Sequence, residues 1–370
     1  MEAISLRNCV FEAYEQGDDP KYILCNLLGK NHTEAESFLG VSEENLWRLI
    51  FQIASQKDET IRRAPKVYIK DISNVYRLIS EANNIVVLIG AGASSGPDFR
   101  SPGGLYDTVA NMNVLDDPYD VFDIHYFMSN PSIFWKVAHL IFPTENPEYS
   151  STHLFLELLE KQGKLLRVYS QNVDALEKGL PDERLRCVHG SWRENHCMTC
   201  GKSYTIEDLR PFVNERVVPR CSVCHGYIKP GIVFFGQDTN FDEGEASQDA
   251  MSADLLIVIG TSLKVKPISN LPKLFYDVQS ILINRECVDC EFNAELIGDC
   301  DDIIDNIETN LQWKEPDENY KEPILYEPNK FIFPSSSGLG TTIVEVGQNQ
   351  FLVSPRRSRK IGRASCRERV

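Results

Sequence analysis

Apolar and polar positions alternate along this chain in two kinds of block. Ile85–Ile89, Leu165–Tyr169, Leu255–Ile259 and Ser280–Asn284 are short, almost continuously apolar and rich in β-branched residues. Strands covered on both faces of a parallel sheet have this pattern, because neither side meets water. Longer segments with helical periodicity separate them. Strands alternating with helices predict an α/β fold, a doubly wound, Rossmann-like parallel sheet carrying smaller modules.

Ahead of the first strand, Ile23, Leu24, Leu27 and Leu28 recur at helical spacing. Leu46, Leu49, Ile50 and Ile53 repeat the pattern behind Ser42, which stands in N-cap position. Residues 1–62 are therefore expected to form a helical module, with Pro65 in the linker that follows it. The α/β core is expected over 63–313. Beyond Trp313 the chain turns polar and proline-rich, and 314–360 is read as a linker around one ordered island. There, two apolar triplets flank Glu-Pro-Asn-Lys, which predicts a β-hairpin over 324–333 with Pro328 in the second turn position. The last ten residues, 361–370, read as translated sequencing adapter.

Charge modifies this picture. The net charge is −16, yet Arg356, Arg357, Arg359, Lys360, Arg363, Arg367 and Arg369 crowd the end of the chain against Glu368 alone. The body is thus more acidic than the total. An acidic body repels a phosphate backbone, so no direct nucleic-acid partner is expected. It attracts basic peptides. No apolar run approaches the ~20 residues of a membrane span, and Glu2, Arg7 and Asn8 interrupt any signal-like start. No membrane partner is expected.

Eleven cysteines with no secretory signal point to metal or chemistry rather than disulfides. Cys197, Cys200, Cys221 and Cys224 form two Cys-x₂-Cys pairs, the spacing of a tetrahedral four-sulfur zinc site. With every position filled by thiolate, such a site is structural. Cys287 and Cys290 form a third pair without a counterpart and are read as incidental. Gly90-Ala91-Gly92 ends a strand, where bare backbone can approach a pyrophosphate. A tight turn needs the same glycines. Gln171, Asn172 and Asp174 follow another strand, at the end where α/β sheets bind ligands. His189, alone, is more often structural than catalytic.

The segments around these residues resemble the sirtuin family over residues 20–333. The motifs are Pro97-Asp98-Phe99-Arg100-Ser101-Pro102-Gly103-Gly104, Ser170-Gln171-Asn172-Val173-Asp174, Val188-His189-Gly190 and Lys229-Pro230-Gly231-Ile232-Val233-Phe234-Phe235-Gly236. Val121–Phe127, Val217–Cys221 and Leu296–Cys300 are similar to its nuclear class I branch. The resemblance implies an NAD-dependent protein-lysine deacetylase or deacylase that passes the acyl group to ADP-ribose and releases nicotinamide.

By the same resemblance His189 is the general base and Asn172 the second catalytic residue. Gly90, Ala91, Gly92, Asp98, Phe99, Arg100, Gln171, Asn172, Asp174, Gly260, Thr261, Ser262, Asn284, Arg285, Glu286 and Cys300 would contact NAD. Val233, Phe234 and Gly236 would receive the acyl-lysine peptide. Implied partners are acetylated proteins such as histones and transcription regulators, and the implied location is the nucleus, with cytoplasm second. Residues 1–62 and the hairpin resemble regulatory segments of the class I branch.

Two departures stand out. Only Ala93, Ser94, Ser95 and Gly96 separate Gly92 from Pro97, fewer than sirtuins usually have, and Gln56 stands where an acidic residue is expected. The short loop keeps a second reading open, a catalytically weakened binding protein with the same fold.

Overall fold

The computed structural model describes residues 6–30, 35, 38, 40–58, 67–94, 105–113, 115–177, 179–315, 323–333, 342–347 and 350–354. Asp98, Phe99 and Arg100 lie outside the described residues, as does the segment 361–370.

An eight-stranded sheet organises the chain. Its strands are β1 (Ile85–Ile89), β2 (Leu165–Ser170) and β3 (Leu185–Cys187), then, beyond an inserted three-stranded sheet, β7 (Leu255–Ile259), β8 (Gln279–Asn284), β9 (Ala294–Ile297), β10 (Ile324–Glu327) and β11 (Lys330–Ile332). The insert holds β4 (Asn195–Cys197), β5 (Ser203–Tyr204) and β6 (Ile228–Lys229). The spatial order of the large sheet is β10-β11-β9-β8-β7-β1-β2-β3, and every pairing except β10 with β11 is parallel. β12 (Thr342–Gly347) and β13 (Gln350–Ser354) make a separate antiparallel pair.

The continuous apolar runs follow from cover on both faces. Ile85, Val87 and Ile89 point into one core with Leu255, Ile257 and Ile259, while Val86 and Leu88 join Leu256 and Val258 in the other. Strand pleating sends alternate residues to opposite faces, so both sets must be apolar. The chain runs from β1 outward to β2 and β3 on one side, then crosses to β7, β8 and β9 on the other. β1 is thus the strand at which the order reverses, and a ligand crevice forms beyond the carboxyl ends of strands at such a point.

A third core lies beside the sheet. Phe122, Phe127, Phe134, Trp135, Trp192 and Phe234 fill it, mostly edge to face. The small sheet β5-β4-β6 packs at its margin.

Three helices, Leu6–Glu15, Pro20–Leu28 and Glu43–Asp58, make a fourth core from Val10, Leu24, Leu27, Leu46, Trp47, Ile50 and Phe51. Asp19 caps the second helix by accepting from the Lys21 N–H at 2.9 Å, and Ser42 Oγ accepts from Asn45 N–H at 3.3 Å ahead of the third. Leu28 and Leu49, counted in the apolar pattern, turn outward instead. The module rests on helix Glu243–Ser252. Gly244 admits the contact, since a Cβ there would stand 2.6 Å from the Arg48 carbonyl oxygen. Among the described residues no helix is long and apolar enough to cross a membrane.

Candidate active site

Gly90 and Gly92 continue β1, and Gly260 continues β7. The two strand ends are stitched backbone to backbone: Gly90 N–H donates to the Ile259 carbonyl at 2.9 Å and Gly92 N–H to the Gly260 carbonyl at 2.8 Å. A Cβ on Gly90 would stand 2.8 Å from the Gly260 carbonyl oxygen, and one on Gly92 2.9 Å from it. Gly260 also sits at φ +62, in the left-handed region that glycine tolerates. All three glycines therefore serve close strand apposition, and Ala91 and Gly92 remain exposed at its rim.

The β2 end reaches the same place. Gln171 Nε2 donates to Thr261 Oγ1 at 3.0 Å. Asn172 is buried, and its Nδ2 donates to the Gly90 carbonyl and to Ser94 Oγ, both at 3.3 Å. Ser94 Oγ in turn donates to Asp174 Oδ2 at 2.9 Å. Asn284, at the end of β8, donates to the Thr261 carbonyl at 3.2 Å and the Glu286 carbonyl at 2.8 Å. The carboxyl ends of β1, β2, β7 and β8 are thus tied into one polar floor.

Farther along β8, Arg285 pairs with Asp299 at 2.6 Å, with Ser262, Arg285 and Glu286 exposed. Cys300 is buried beneath them, and burial pushes its thiol up to about 12. It is a packing residue here, with no charge to offer.

His189 follows β3. Its Nδ1 lies 3.1 Å from the Gln171 carbonyl oxygen, which can only accept, so Nδ1 carries the proton. Nε2 is then a bare lone pair, buried without a hydrogen-bond partner among the described residues. Burial also lowers the imidazole pKa below its ordinary value, against a smaller opposing effect from the Gln171 bond. A neutral, oriented imidazole with a free Nε2 is the arrangement of a general base. Next to it Gly190 is at φ +71, where a Cβ would collide with the Gly231 carbonyl oxygen.

That contact draws in the segment after β6. Val233 N–H donates to the His189 carbonyl at 2.8 Å, and Phe235 N–H to the Phe122 carbonyl at 2.7 Å. Phe234 is buried against Phe122, Phe127 and Phe134, while Phe235 and Gly236 stay exposed. Lys229 is buried, and among the described residues no carboxylate pairs with it. Its Nζ donates to the Ile232 carbonyl at 2.6 Å and lies 4.3 Å from the centre of the Phe234 ring.

Four residues near this floor escaped the sequence reading: Ser94, Ser150, His153 and Glu177. Ser150 Oγ donates to the Ala93 carbonyl at 2.9 Å and sits 2.8 Å from His153 Nδ1. None of the four stands at a diagnostic spacing, and only their convergence in space marks them.

The four sulfurs of Cys197, Cys200, Cys221 and Cys224 lie within 4.8 Å of one another. The Cys197–Cys224 and Cys200–Cys221 separations are 3.4 and 3.6 Å. A tetrahedral zinc thiolate site, with bonds of about 2.3 Å, requires sulfurs about 3.8 Å apart. Thr199 and Val223 N–H groups each donate to a cysteine sulfur at 3.4 Å, and the Tyr204 hydroxyl donates to Cys221 Sγ at 3.1 Å. The Tyr204 bond leads the effects that hold the Cys221 thiol down to about 5. Donors aimed at sulfur favour thiolate, and the set fits zinc. Cys287 and Cys290 belong to no such group among the described residues.

Residues 89–267 match the Sir2 family. The chain contains a Sir2 family domain. It is 38% identical over 303 residues to the NAD-dependent protein deacetylase sirtuin-1 of Rattus norvegicus, covering 79% of this chain and 53% of that protein. The sirtuin-1 of Homo sapiens gives 38% over 303 residues, 79% of this chain and 40% of the relative. The NAD-dependent histone deacetylase SIR2 of Candida albicans gives 39% over 261 residues, 64% and 49%. The chain thus spans about half the length, or less, of these relatives, and the Sir2 match runs from the last residue of β1 through β7, taking in the glycine floor, His189 and the cysteine quartet.

Proposed function

We propose that this chain is an NAD-dependent protein-lysine deacetylase, acting on acetylated lysines in proteins. One observation carries the reading: burial keeps His189 neutral and its bond to Gln171 fixes the tautomer, leaving Nε2 without a partner among the described residues, beside the floor that ties β1 to β2 and β7. NAD, when bound, would supply the ribose that accepts the acyl group and the nicotinamide that leaves.

The chain's own residues do the rest. Gly90, Ala91 and Gly92 would give the phosphates a rim whose one side chain is the Ala91 methyl, with Asp98, Phe99 and Arg100 following in sequence. Gln171, Asn172 and Asp174 would hold the nicotinamide end, and Gly260, Thr261, Ser262, Asn284, Arg285 and Glu286 the adenosine end, with Cys300 packed beneath it. His189 Nε2 takes a proton from a ribose hydroxyl. Val233, Phe234 and Gly236 receive an extended acyl-lysine peptide, whose backbone bonds give affinity with little sequence preference. Cys197, Cys200, Cys221 and Cys224 would hold a structural zinc.

Histones as substrates are supported by the name of the Candida albicans relative and by the acidic body, while transcription regulators as substrates and a nuclear location are carried over from the family resemblance alone. The 1–62 module and the 324–333 hairpin we read as regulatory, since both dock on the core without supplying a residue to the floor.

The deciding experiment follows nicotinamide release from NAD with an acetylated peptide, with His189→Ala alongside. Peptide-dependent release by the unmodified chain, lost in the variant, is expected. Release equal in both would overturn the reading.

A further inference from the structure

The loop from Ser170 to Glu177 carries Asn172 and Asp174, and it is held by groups that the proposed chemistry leaves unused. Glu177 is 1% exposed, and its Oε2 has no hydrogen-bond partner among the described residues. Its Oε1 accepts from the Ser170 hydroxyl, and that same hydroxyl oxygen accepts from Asn172 N–H at 3.1 Å. Amide, hydroxyl and carboxylate thus form a chain in which each bond polarises the next. Between its ends the backbone is strained. Ala175 sits at φ +60, a conformation that L-residues rarely adopt. Arg193 clasps the strained turn from outside, donating to the Ala175 carbonyl at 3.2 Å and the Glu177 carbonyl at 2.7 Å.

A buried carboxyl group is costly and persists only where bonds compensate it. Every compensating bond here ends on the loop that presents Asn172 and Asp174. We propose that Glu177 is the positioning residue of this loop, acting through Ser170 to fix the backbone of Asn172 and, with it, the NAD-facing side chains. The inference rests on the deacetylase reading for what the loop does, though not for how it is held.

The charged and titratable groups around Glu177 are few. Asp174 approaches on the same loop, Arg193 from the turn after His189, and Cys187 from the end of β3, with Glu194 beside Cys187. The Cys187 thiol is pushed up to about 12 and carries no charge near neutrality. Burial first, then Asp174, raise the Glu177 carboxyl to about 7, against the pull of Ser170 and Arg193. The ionised carboxylate is the stronger acceptor for Ser170, so the loop tightens as pH rises through that range.

Three proteins test this: the unmodified chain, Glu177→Gln, which keeps an acceptor and cannot ionise, and Glu177→Ala, which removes both. In steady-state kinetics with acetylated peptide, the unmodified KM for NAD should fall at least threefold from pH 6 to 8. Glu177→Gln should lose that pH dependence, and Glu177→Ala should raise KM at least tenfold throughout. Melting temperatures without substrate give a second readout. The difference between unmodified chain and Glu177→Gln should shift against the unmodified chain as pH rises from 5 to 8, because ionisation of a buried carboxyl works against folding.

A Glu177→Ala KM within twofold of the unmodified value, or a Gln variant retaining the full pH response, overturns the proposal. So does a melting difference that is independent of pH. Absence of nicotinamide release from the unmodified chain counts against the deacetylase reading, and the melting comparison then decides the proposal by itself.

Discussion

At the scale of single residues, His189 illustrates how much chemistry can hang on one hydrogen bond. The Gln171 carbonyl fixes the tautomer, and burial keeps the ring neutral. The folded-state pKa lies below 6.5, so the base form persists to lower pH than for a free histidine. The acid limb of kcat/KM for nicotinamide release is therefore expected below pH 6.5, and a limb centred above that value would contradict the geometry. Lys229 offers a matching test of stability. Burial lowers its ammonium from 10.5 to about 8. A depressed folded pKa means stability that is present above the unfolded value and lost as pH falls through the folded one. Relative to Lys229→Met, the unmodified chain should gain up to about 3 kcal/mol in urea denaturation between pH 8 and 10.5.

Neither property was readable from the sequence. Lys229 and Glu177 look like ordinary surface charges until the fold encloses them, and His189 owed its assignment to the motifs around it. Cys300 and Arg285 were found by resemblance alone, and no periodicity singled them out.

Among the secondary-structure elements, legibility followed burial. β1, β2, β7 and β8 declared themselves because both faces of each are covered. β3, β9 and the strands of the insert are two to four residues long, too short for any pattern, and neighbouring strands set their register. The helices between 105 and 140, three to seven residues long, were missed for the same reason. The hairpin was legible from its turn: β10 and β11 close around Pro328 and Asn329 as read.

The hairpin's place at the edge of the sheet came from the family resemblance, not from its own pattern. β11 pairs in parallel with β9, and Phe331, Ile332 and Phe333 are buried there. Phe331→Ala should cost about 3 kcal/mol of unfolding free energy, measurable by chemical denaturation, and an effect below about 1 kcal/mol would mean that the hairpin is loosely held. In the insert, Cys221→Ser removes one of four ligands. Loss of bound zinc, measured by atomic absorption, is expected together with loss of the β4–β6 pairing.

On the scale of the whole molecule, the regions connect through helix Glu243–Ser252. Asp249 accepts from Arg167 at 2.9 Å and from the Tyr169 hydroxyl at 2.7 Å, both on β2, and Glu245 pairs with Arg186 of β3 at 2.6 Å. The opposite side of the same helix receives the N-terminal module at Gly244 and Met251. Gly244→Val would place side-chain carbon against the Arg48 backbone. Amide hydrogen exchange should then accelerate across 6–58 while β1 and β7 keep their protection, and uniform protection would show that the module docks elsewhere.

One pair of aromatic residues turns this architecture into an optical instrument. The chain has four tryptophans. Trp135 and Trp192 meet edge to face in the aromatic core, ring centres 6.2 Å apart, with Phe142 4.8 Å from Trp192. The Trp192 carbonyl is bonded to Asn195, the first residue of the zinc insert, and three residues before Trp192 is His189. The two indoles are dry and adjacent, so they emit toward the blue and exchange energy. Water reaching them shifts that emission toward the red. The colour of this pair's emission thus reports whether the cysteine insert and His189 still share one wall, with no label attached.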